Sequence, residues 1–225
     1  MRSIIIASSV LTVCCAGTAS AVIVNDFDAS MSFAGSNLNG IVGTGISNAN
    51  FARSTNADEG IEIGLKAIAR FMGDLPNTDE RYFAQPGVSA GPPPGATWNY
   101  VLVGNLGPRT IADLQIDLAI DFDPTFGSAL FTNVDITAGA IAQGFGGLSI
   151  LGDSQNLDFD FWQILFGAPA FDPNAPGEYE LVFTVRDPAN SAILAEAVNI
   201  VEVVPTPGAA ALLGLGSITA MRRRR

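Results

Sequence analysis

A run of alternating side chains in the middle of the chain restricts its fold more than any other feature. From Leu114 to Phe122 the even-numbered side chains are large and apolar, and Gln115, Asp117 and Asp121 lie between them. Successive side chains of a β-strand point to opposite faces, so this pattern suits a strand with one buried and one solvated face. A helix would distribute the aspartates around its surface. The stretch 111–122 therefore predicts a β-strand.

Other stretches show the same period of two. Residues 61–71 alternate without a break, and Gly60 and Gly64 disfavour the competing helical interpretation of this stretch. Further strands are predicted at residues 98–103, 157–161, 179–185 and 193–204. The last of these changes phase near Ile200 and Val201, which indicates a β-bulge.

Turn signals between these strands favour an antiparallel arrangement. Residues 187–190 read Asp-Pro-Ala-Asn, which suits a type I turn and predicts a hairpin between the last two strands. Several short strands separated by loops are typical of an all-β fold. We expect a single antiparallel β-sandwich, immunoglobulin-like or jelly-roll-like, over residues 22–204. The aromatic residues expected in its core are Phe71, Trp98, Phe122, Phe159, Phe161 and Phe183.

The charge distribution excludes several classes of function. The chain carries 11 basic residues, 22 acidic residues and no histidine. Residues 22–204 hold six of the basic residues and all of the acidic ones, which gives this region a net charge of −16. Such a region repels phosphates, so a nucleic-acid partner is excluded. The lack of histidine excludes His-based catalytic triads and His-ligated metals.

The N-terminus has the layout of a secretory signal peptide. Residues 1–21 contain one arginine, an apolar run, and small side chains at Ala19 and Ala21, the positions that signal peptidase recognises. We expect cleavage after Ala21. The apolar run is short for the alternative of a membrane anchor, and a lipoprotein site at Cys14 would need a small residue at position 13. Because both cysteines lie in this segment, the mature chain would contain no disulfide.

The C-terminus is a second addressing signal, covering residues 205–225. Thirteen uncharged residues, 209–221, lie between a proline-rich box and four terminal arginines. Thirteen residues form about 20 Å of helix, which is shorter than the roughly 30 Å hydrocarbon core of a bilayer. We therefore expect a short apolar helix that anchors the chain transiently, with the arginines on the cytoplasmic side. The residues of the box and of the arginine cluster are Pro205, Thr206, Pro207, Gly208, Arg222, Arg223, Arg224 and Arg225.

This tail resembles the PEP-CTERM sorting signal of bacterial surface proteins over residues 204–225. The family box reads Pro-Glu-Pro, and Thr206 stands here in place of the glutamate. The resemblance implies that an exosortase, an integral membrane protease-transpeptidase, recognises and cleaves the tail near the box. It also implies export in a Gram-negative-type envelope and delivery to the cell surface or the extracellular polymer matrix. The box would then be the substrate of another enzyme.

Four stretches of the body are also similar to the ectodomains of PEP-CTERM proteins. They are a Gly-Leu-Lys-Ala strand, a Trp-Asn-Tyr strand, an Asp-Phe-Asp-Pro-Thr segment and a Gly-x-Tyr-x-Leu hairpin, at residues 64–67, 98–100, 121–125 and 177–181. This similarity implies a surface domain and assigns no chemistry to it.

Paired aspartates are the candidate sites for acid–base or metal chemistry. Asp117 and Asp121 share one face of a predicted strand, and Asp158 and Asp160 share one face of another. Same-face neighbours two residues apart lie about 7 Å from each other, near the spacing of the two carboxylates of glycoside hydrolases. Alternating aspartates also keep an outer face solvated and deter edge-to-edge aggregation. Calcium is the metal that such oxygen-rich loops bind. The candidate calcium ligands, which could converge at one end of the sandwich, are Asp121, Asp123, Asp158, Asp160, Asp172 and Asp187.

The remaining candidates lead to a non-enzymatic prediction. Trp162 is the candidate for stacking on a sugar ring, whereas Trp98 and Tyr100 suit a core. No catalytic residue is assigned, because the chain has no Gly-x-Ser-x-Gly elbow and Lys66 is the single lysine of residues 22–204. We expect a structural or adhesive surface protein without a cofactor. A carbohydrate- or calcium-binding surface module, with extracellular polysaccharide as a partner, is the alternative, and a glycoside hydrolase-like enzyme comes third.

Overall fold

The computed structural model describes residues 22–35, 38–128 and 130–205. The signal peptide predicted at residues 1–21 lies outside these residues, as does the sorting tail from Thr206 to Arg225. The helices within the described residues are η1 (Ile111–Asp113), α1 (Ile136–Ala142) and α2 (Phe161–Phe166). The strands are β1 (Ile23–Ala29), β2 (Phe51–Asn56), β3 (Ile61–Ala69), β4 (Gly73–Asp74), β5 (Asn77–Thr78), β6 (Arg81–Ala84), β7 (Val88–Ser89), β8 (Gly95–Ala96), β9 (Trp98–Asn105), β10 (Gln115–Asp121), β11 (Phe131–Asp135), β12 (Ile150–Gln155), β13 (Gly177–Arg186) and β14 (Ile193–Val203).

Two large sheets make the fold all-β, as the sequence predicts. The first sheet has the strand order β1-β2-β3-β9-β12, with β4 paired to β3, and all of its pairs are antiparallel. The second sheet has the order β11-β10-β13-β14-β6-β5. In it, β14 and β6 pair in parallel, so the second sheet is mixed and the expectation of purely antiparallel pairing is wrong for this pair. A short hairpin, β7-β8, completes the set.

The two sheets pack face to face around a common apolar core. Ile63 and Leu65 of the first sheet and Leu118 and Phe183 of the second are at most 1 % exposed and belong to one cluster. Side-chain hydrogen bonds also join the sheets, since Asn56 Nδ2 donates to the carbonyl oxygen of Leu194, which belongs to β14, at 3.0 Å. The arrangement is sandwich-like, and burial of its inner faces supplies the main stabilising free energy.

A covering segment, residues 30–35 and 38–50, lies on the outer face of the first sheet. Met31 and Leu38 pack there against Phe51 and Val101 in a second apolar cluster. The predicted solvated face of β3 is therefore wrong, because Glu62 and Lys66 are 6 % and 0 % exposed beneath the segment. Burial of such groups requires hydrogen-bonded or charged partners.

The charged residues of β3 have such partners in the covering segment and beside it. Lys66 Nζ donates to the carbonyl oxygens of Ser47 and Ala49 at 2.8 and 3.1 Å and pairs with Asp74 Oδ1 at 2.6 Å. Glu62 accepts a hydrogen bond from the backbone N–H of Ser32 at 2.8 Å. These bonds hold the covering segment against the sheet, so the role of Lys66 is structural.

Most of the predicted strands are confirmed. The structure contains strands at β3, β9, β13 and β14, and β13 and β14 form the predicted hairpin. The turn is stabilised by Asp187, whose Oδ1 accepts from the backbone N–H of Ala189 at 2.8 Å. The predicted bulge is displaced toward the turn. The register passes from Val185–Ala195 to Arg186–Ile193 and leaves Leu194 as the extra residue.

The strand predicted at residues 157–161 is wrong. This stretch forms a turn that leads into α2, because Asn156 Oδ1 accepts hydrogen bonds from the backbone N–H groups of Ala96 and of Asp158 at 2.9 and 3.0 Å. The alternation of Leu157, Asp158 and Phe159 therefore arises from a turn in which Leu157 is buried, and these residues do not pair with a neighbouring strand.

Two smaller corrections concern the ends of predicted strands. Residues 111–113 form η1 rather than strand, since Asp113 accepts a hydrogen bond from the backbone N–H of Thr110 at 2.9 Å and closes a helical turn. Phe71 is 71 % exposed and adopts φ +62° just after β3, so it does not belong to the core. Its ring lies against the guanidinium of Arg70, 4.9 Å from ring centroid to Cζ.

Candidate functional site

The candidate site is a small concave surface where β10 ends and β13 begins, which we name the acidic recess. It has a volume of about 50 Å³. The side chains with carboxylates that line it come from β10 and β13, which pair in antiparallel register. Its lining residues are Asp121, Thr125, Gly127, Ser128, Glu178, Glu180 and Ile200.

Asp121 is the most buried carboxylate of the acidic recess. It points to the outer face of β10, yet it is only 2 % exposed because the loop after the strand folds over it. Its Oδ1 accepts from the backbone N–H of Asp123 at 2.9 Å, and its Oδ2 accepts from Ser128 Oγ at 2.6 Å. These two bonds satisfy a carboxylate that would otherwise be costly to bury.

Asp123 serves the same loop in a different way. Its Oδ1 accepts from the backbone N–H of Thr125 at 2.9 Å. Hydrogen bonds from the Thr125 side chain and then from its backbone hold the pKa of Asp123 below its usual value. Asp121 and Asp123 thus form consecutive turns that shape the rim of the acidic recess.

Glu180 and Glu178 contribute the other two carboxylates. Burial raises the pKa of Glu180, and the negative charges of Asp121 and then Glu178 raise it further. Arg81 of β6 pairs with Glu178 and also lies 3.2 Å from Glu202 Oε2. The hydrogen bond that Arg81 donates to Glu178 is the main reason why the pKa of Arg81 is raised. Glu178 is therefore compensated, and the uncompensated charge of the acidic recess lies on Asp121 and Glu180.

The other candidate calcium ligands do not join this group as a set. Asp158 lies near Asp160 and Asp172, since burial first and then these two charges raise its pKa, while Arg70 lowers it. Asp187 lies at the far end of β13, where it faces the guanidinium of Arg109 at 3.5 Å. Within the described part of the chain, no three acidic, cysteine or histidine side chains are grouped so that they could hold a metal ion.

Trp162, the candidate for sugar stacking, lies inside the core. It is 2 % exposed, and its ring packs against those of Tyr100, Phe122 and Phe161 at centroid distances of 6.0, 6.2 and 4.5 Å. Its Nε1 donates to the carbonyl oxygen of Asn156 at 2.8 Å. A sugar could therefore stack on this ring only if α2 moved away from the core.

Sequence reasoning did not identify Glu178 and Glu180 as members of the site. The signal was available in part, because Glu178 and Glu180 alternate with the buried Tyr179 and Leu181 and must face outward. What the sequence lacked was the register. Pairing of Ile120 with Leu181 brings Asp121 beside Glu180, and only the folded sheet shows this pairing.

Comparison with known proteins adds little to this description. No family model matches the sequence, and no curated protein is similar to it. The crystal structure of the PmoD soluble domain from Methylocystis sp. ATCC 49242 (Rockwell) is a partial structural match with a TM-score of 0.31 and 10 % sequence identity. The match covers 62 % of this chain and 90 % of that domain, and at this TM-score it supports no conclusion about fold or function. Among residues 22–35, 38–128 and 130–205, none of the helices is long and apolar enough to cross a membrane.

Proposed function

We propose that this chain is an exported, non-enzymatic protein that acts as a structural or adhesive component of the cell surface or extracellular polymer matrix. Signal peptidase removes residues 1–21, and an exosortase-type enzyme processes the C-terminal tail. The two packed sheets form the delivered body, a single sandwich of the immunoglobulin-like or jelly-roll-like type.

The observation that supports this proposal is the position of the Pro-Thr-Pro-Gly box, which follows the end of β14 by one residue. The last backbone hydrogen bond of the body runs from the N–H of Val204 to the carbonyl oxygen of Ala84 at 3.0 Å, and Pro205 is exposed. The Pro-Thr-Pro-Gly box thus begins immediately after the last hydrogen-bonded residue. An enzyme that acts at the box would therefore act on residues that lie outside β14.

Mass spectrometry of the protein purified from its native envelope tests the proposal. We expect a mature N-terminus at Val22 and a C-terminus close to the box at residues 205–208. Replacement of all four terminal arginines by glutamine should leave the tail uncleaved, whereas replacement by lysine keeps the positive charge and should preserve processing. Recovery of the intact chain from the cytosol, with Met1 and Arg225 still attached, would refute the proposal.

Calcium binding at the acidic recess is the second candidate function. It is favoured by the geometry of the acidic recess, in which the register of β10 against β13 places Glu180 beside Asp121. Burial and then the charge of Asp121 raise the pKa of Glu180, and a bound cation would relieve the repulsion between the two carboxylates. If the alternative holds, millimolar CaCl2 should raise the melting temperature, and Asp121→Asn should abolish this increase. Asp117→Asn is the matched control, because Asp117 lies on the same strand and accepts from Gln115 Nε2 at 2.9 Å outside the recess. An unchanged melting temperature in calcium would eliminate the candidate.

A further inference from the structure

A set of exposed apolar side chains lies at the end of the sandwich that holds the acidic recess. We name it the apolar end patch. The patch is formed by two elements that are in contact, since α2 lies against β11, the strand that follows the loop carrying Phe126 and Leu130. Exposed apolar side chains that cluster in this way mark a contact site. The patch comprises Phe126, Leu130, Ile164, Leu165 and Phe166, which are 79, 71, 76, 69 and 37 % exposed.

Direct contacts connect this patch to the point where the chain leaves the fold. Phe126 belongs to the loop after β10, and in the same loop the carbonyl oxygen of Pro124 accepts from the backbone N–H of Glu178 at 3.2 Å. The neighbouring Gly177 pairs with Val203, the last residue of β14. The helix α2 belongs to the same end, because Trp162 packs on Phe122, the residue that follows β10.

The C-terminal tail has the length and composition to cover the patch. Three strand spacings, from β14 through β13 and β10 to β11, amount to about 14 Å. The five residues 204–208 span up to about 17 Å when extended. They lead into residues 209–221, which carry no charge. The segment 1–21, the other long apolar stretch, joins the fold near Ile23, which pairs with Asn56 at the opposite end of the first sheet.

Charge supports the same occupant. Thr125 and Gly127, on either side of Phe126, both line the acidic recess. The recess therefore places the carboxylate of Glu180 beside the patch, and the tail carries four arginines after its apolar segment. An apolar face beside an acidic recess matches an apolar segment followed by a basic cluster.

We propose that, before sorting, residues 209–221 dock on the apolar end patch of the same chain. The docked tail keeps both apolar surfaces out of water until a membrane takes up the segment. This inference rests on the proposed function in one respect, since it takes the tail to be a segment that inserts into a membrane after export has begun. It does not require cleavage at the box. A second copy of the chain bound at the patch is the competing outcome.

Engineered disulfides in the full chain test this docking. With Cys14→Ser and Cys15→Ser the chain has no cysteine, so any disulfide that forms must join the two introduced cysteines. The test pair is Leu165→Cys with Leu213→Cys. The control pair is Ile193→Cys with Leu213→Cys, because Ile193 is 39 % exposed and lies at the opposite end of β14. Disulfide formation in mild oxidant is followed by mass spectrometry and by mobility on non-reducing gels.

We expect the test pair to form an intramolecular disulfide at least about tenfold faster than the control pair, because docking raises the effective concentration of the two thiols. Replacement of Leu212 and Leu215 by serine in the test-pair chain should remove this advantage. Equal rates for the two pairs, or a product that consists mainly of disulfide-linked dimers, would overturn the inference. Because envelope processing at the box is measured separately, failure of docking and failure of sorting give different results.

Discussion

Replacing Asn156 by aspartate should destabilise the fold by about 3–5 kcal/mol at neutral pH. The Asn156 side chain is 0 % exposed and its Nδ2 donates to the carbonyl oxygens of Ala96 and Trp98 at 3.0 and 2.7 Å. It also donates to Asn99 Oδ1 at 2.8 Å. Aspartate keeps the acceptor atom and loses the two N–H donors that these three acceptors share. At about 1 kcal/mol for each of the two lost donors, with the cost of a carboxylate facing three acceptors added, the sum reaches this range.

The pH dependence of this variant provides a second, independent signature. The surrounding acceptors should raise the pKa of the new carboxyl group in the folded state above its unfolded value of about 3.9. A raised folded pKa gives a stabilising contribution that is complete below the unfolded pKa and is lost as pH rises through the folded pKa. The difference in the free energy of unfolding between wild type and Asn156→Asp should therefore decrease as the pH falls from 7 toward 4.

Urea unfolding followed by tryptophan fluorescence measures both effects, because Trp98 and Trp162 are each 2 % exposed in the folded state. Asn190→Asp is the matched control. The exposed Asn190 only accepts a bond, from the backbone N–H of Ala192 at 2.9 Å, and aspartate retains that acceptor. A loss below about 1 kcal/mol for Asn156→Asp, or a deficit that does not change with pH, would refute the assigned role of this amide.

Three further substitutions test other parts of the structure. Glu180→Gln should stabilise the chain by a few tenths of a kcal/mol at pH 7. The gain should vanish below about pH 4, because burial and then the charge of Asp121 raise the pKa of Glu180; urea titrations at both pH values measure this. Gly107→Ala should cost about 1–3 kcal/mol in thermal unfolding, since at φ +63° its Cβ would lie 2.7 Å from the carbonyl oxygen of Glu59. Trp162→Phe should cost about 2 kcal/mol in unfolding followed by circular dichroism, through the lost indole hydrogen bond and ring volume.

The stretches at 61–71 and 157–161 show why local pattern gave the right result once and the wrong result once. In β3 the alternation extends along the whole strand, and the strands β2 and β9 pair with it on either side. The strand prediction is therefore confirmed. In 157–161 only five residues alternate, and the side chain of Asn156 takes the hydrogen bonds that a neighbouring strand would need. Short alternation is ambiguous because a turn followed by a helix also exposes every second residue.

The candidate site shows the same division. Asp121 was identified because it lies on the polar face of a predicted strand, whereas Glu180 joins it only through the register of β10 against β13. Asp187 is among the candidate calcium ligands, but it follows the last residue of β13. The ten residues of this strand separate it from the end that holds the acidic recess. A pattern of alternation assigns each side chain to a face, and it contains no information about which strand is the neighbour or which end is shared.

The sequence by itself determined the all-β class, the β13–β14 hairpin and the acidic character of the body, because period-two burial, turn chemistry and charge are local properties. Only the tertiary structure decided that the covering segment lies on the first sheet and buries Lys66, and that Trp162 lies in the core. It also decided that the apolar end patch lies beside the exit of β14. These features depend on contacts between residues far apart in the chain, and such contacts form only when the whole domain packs.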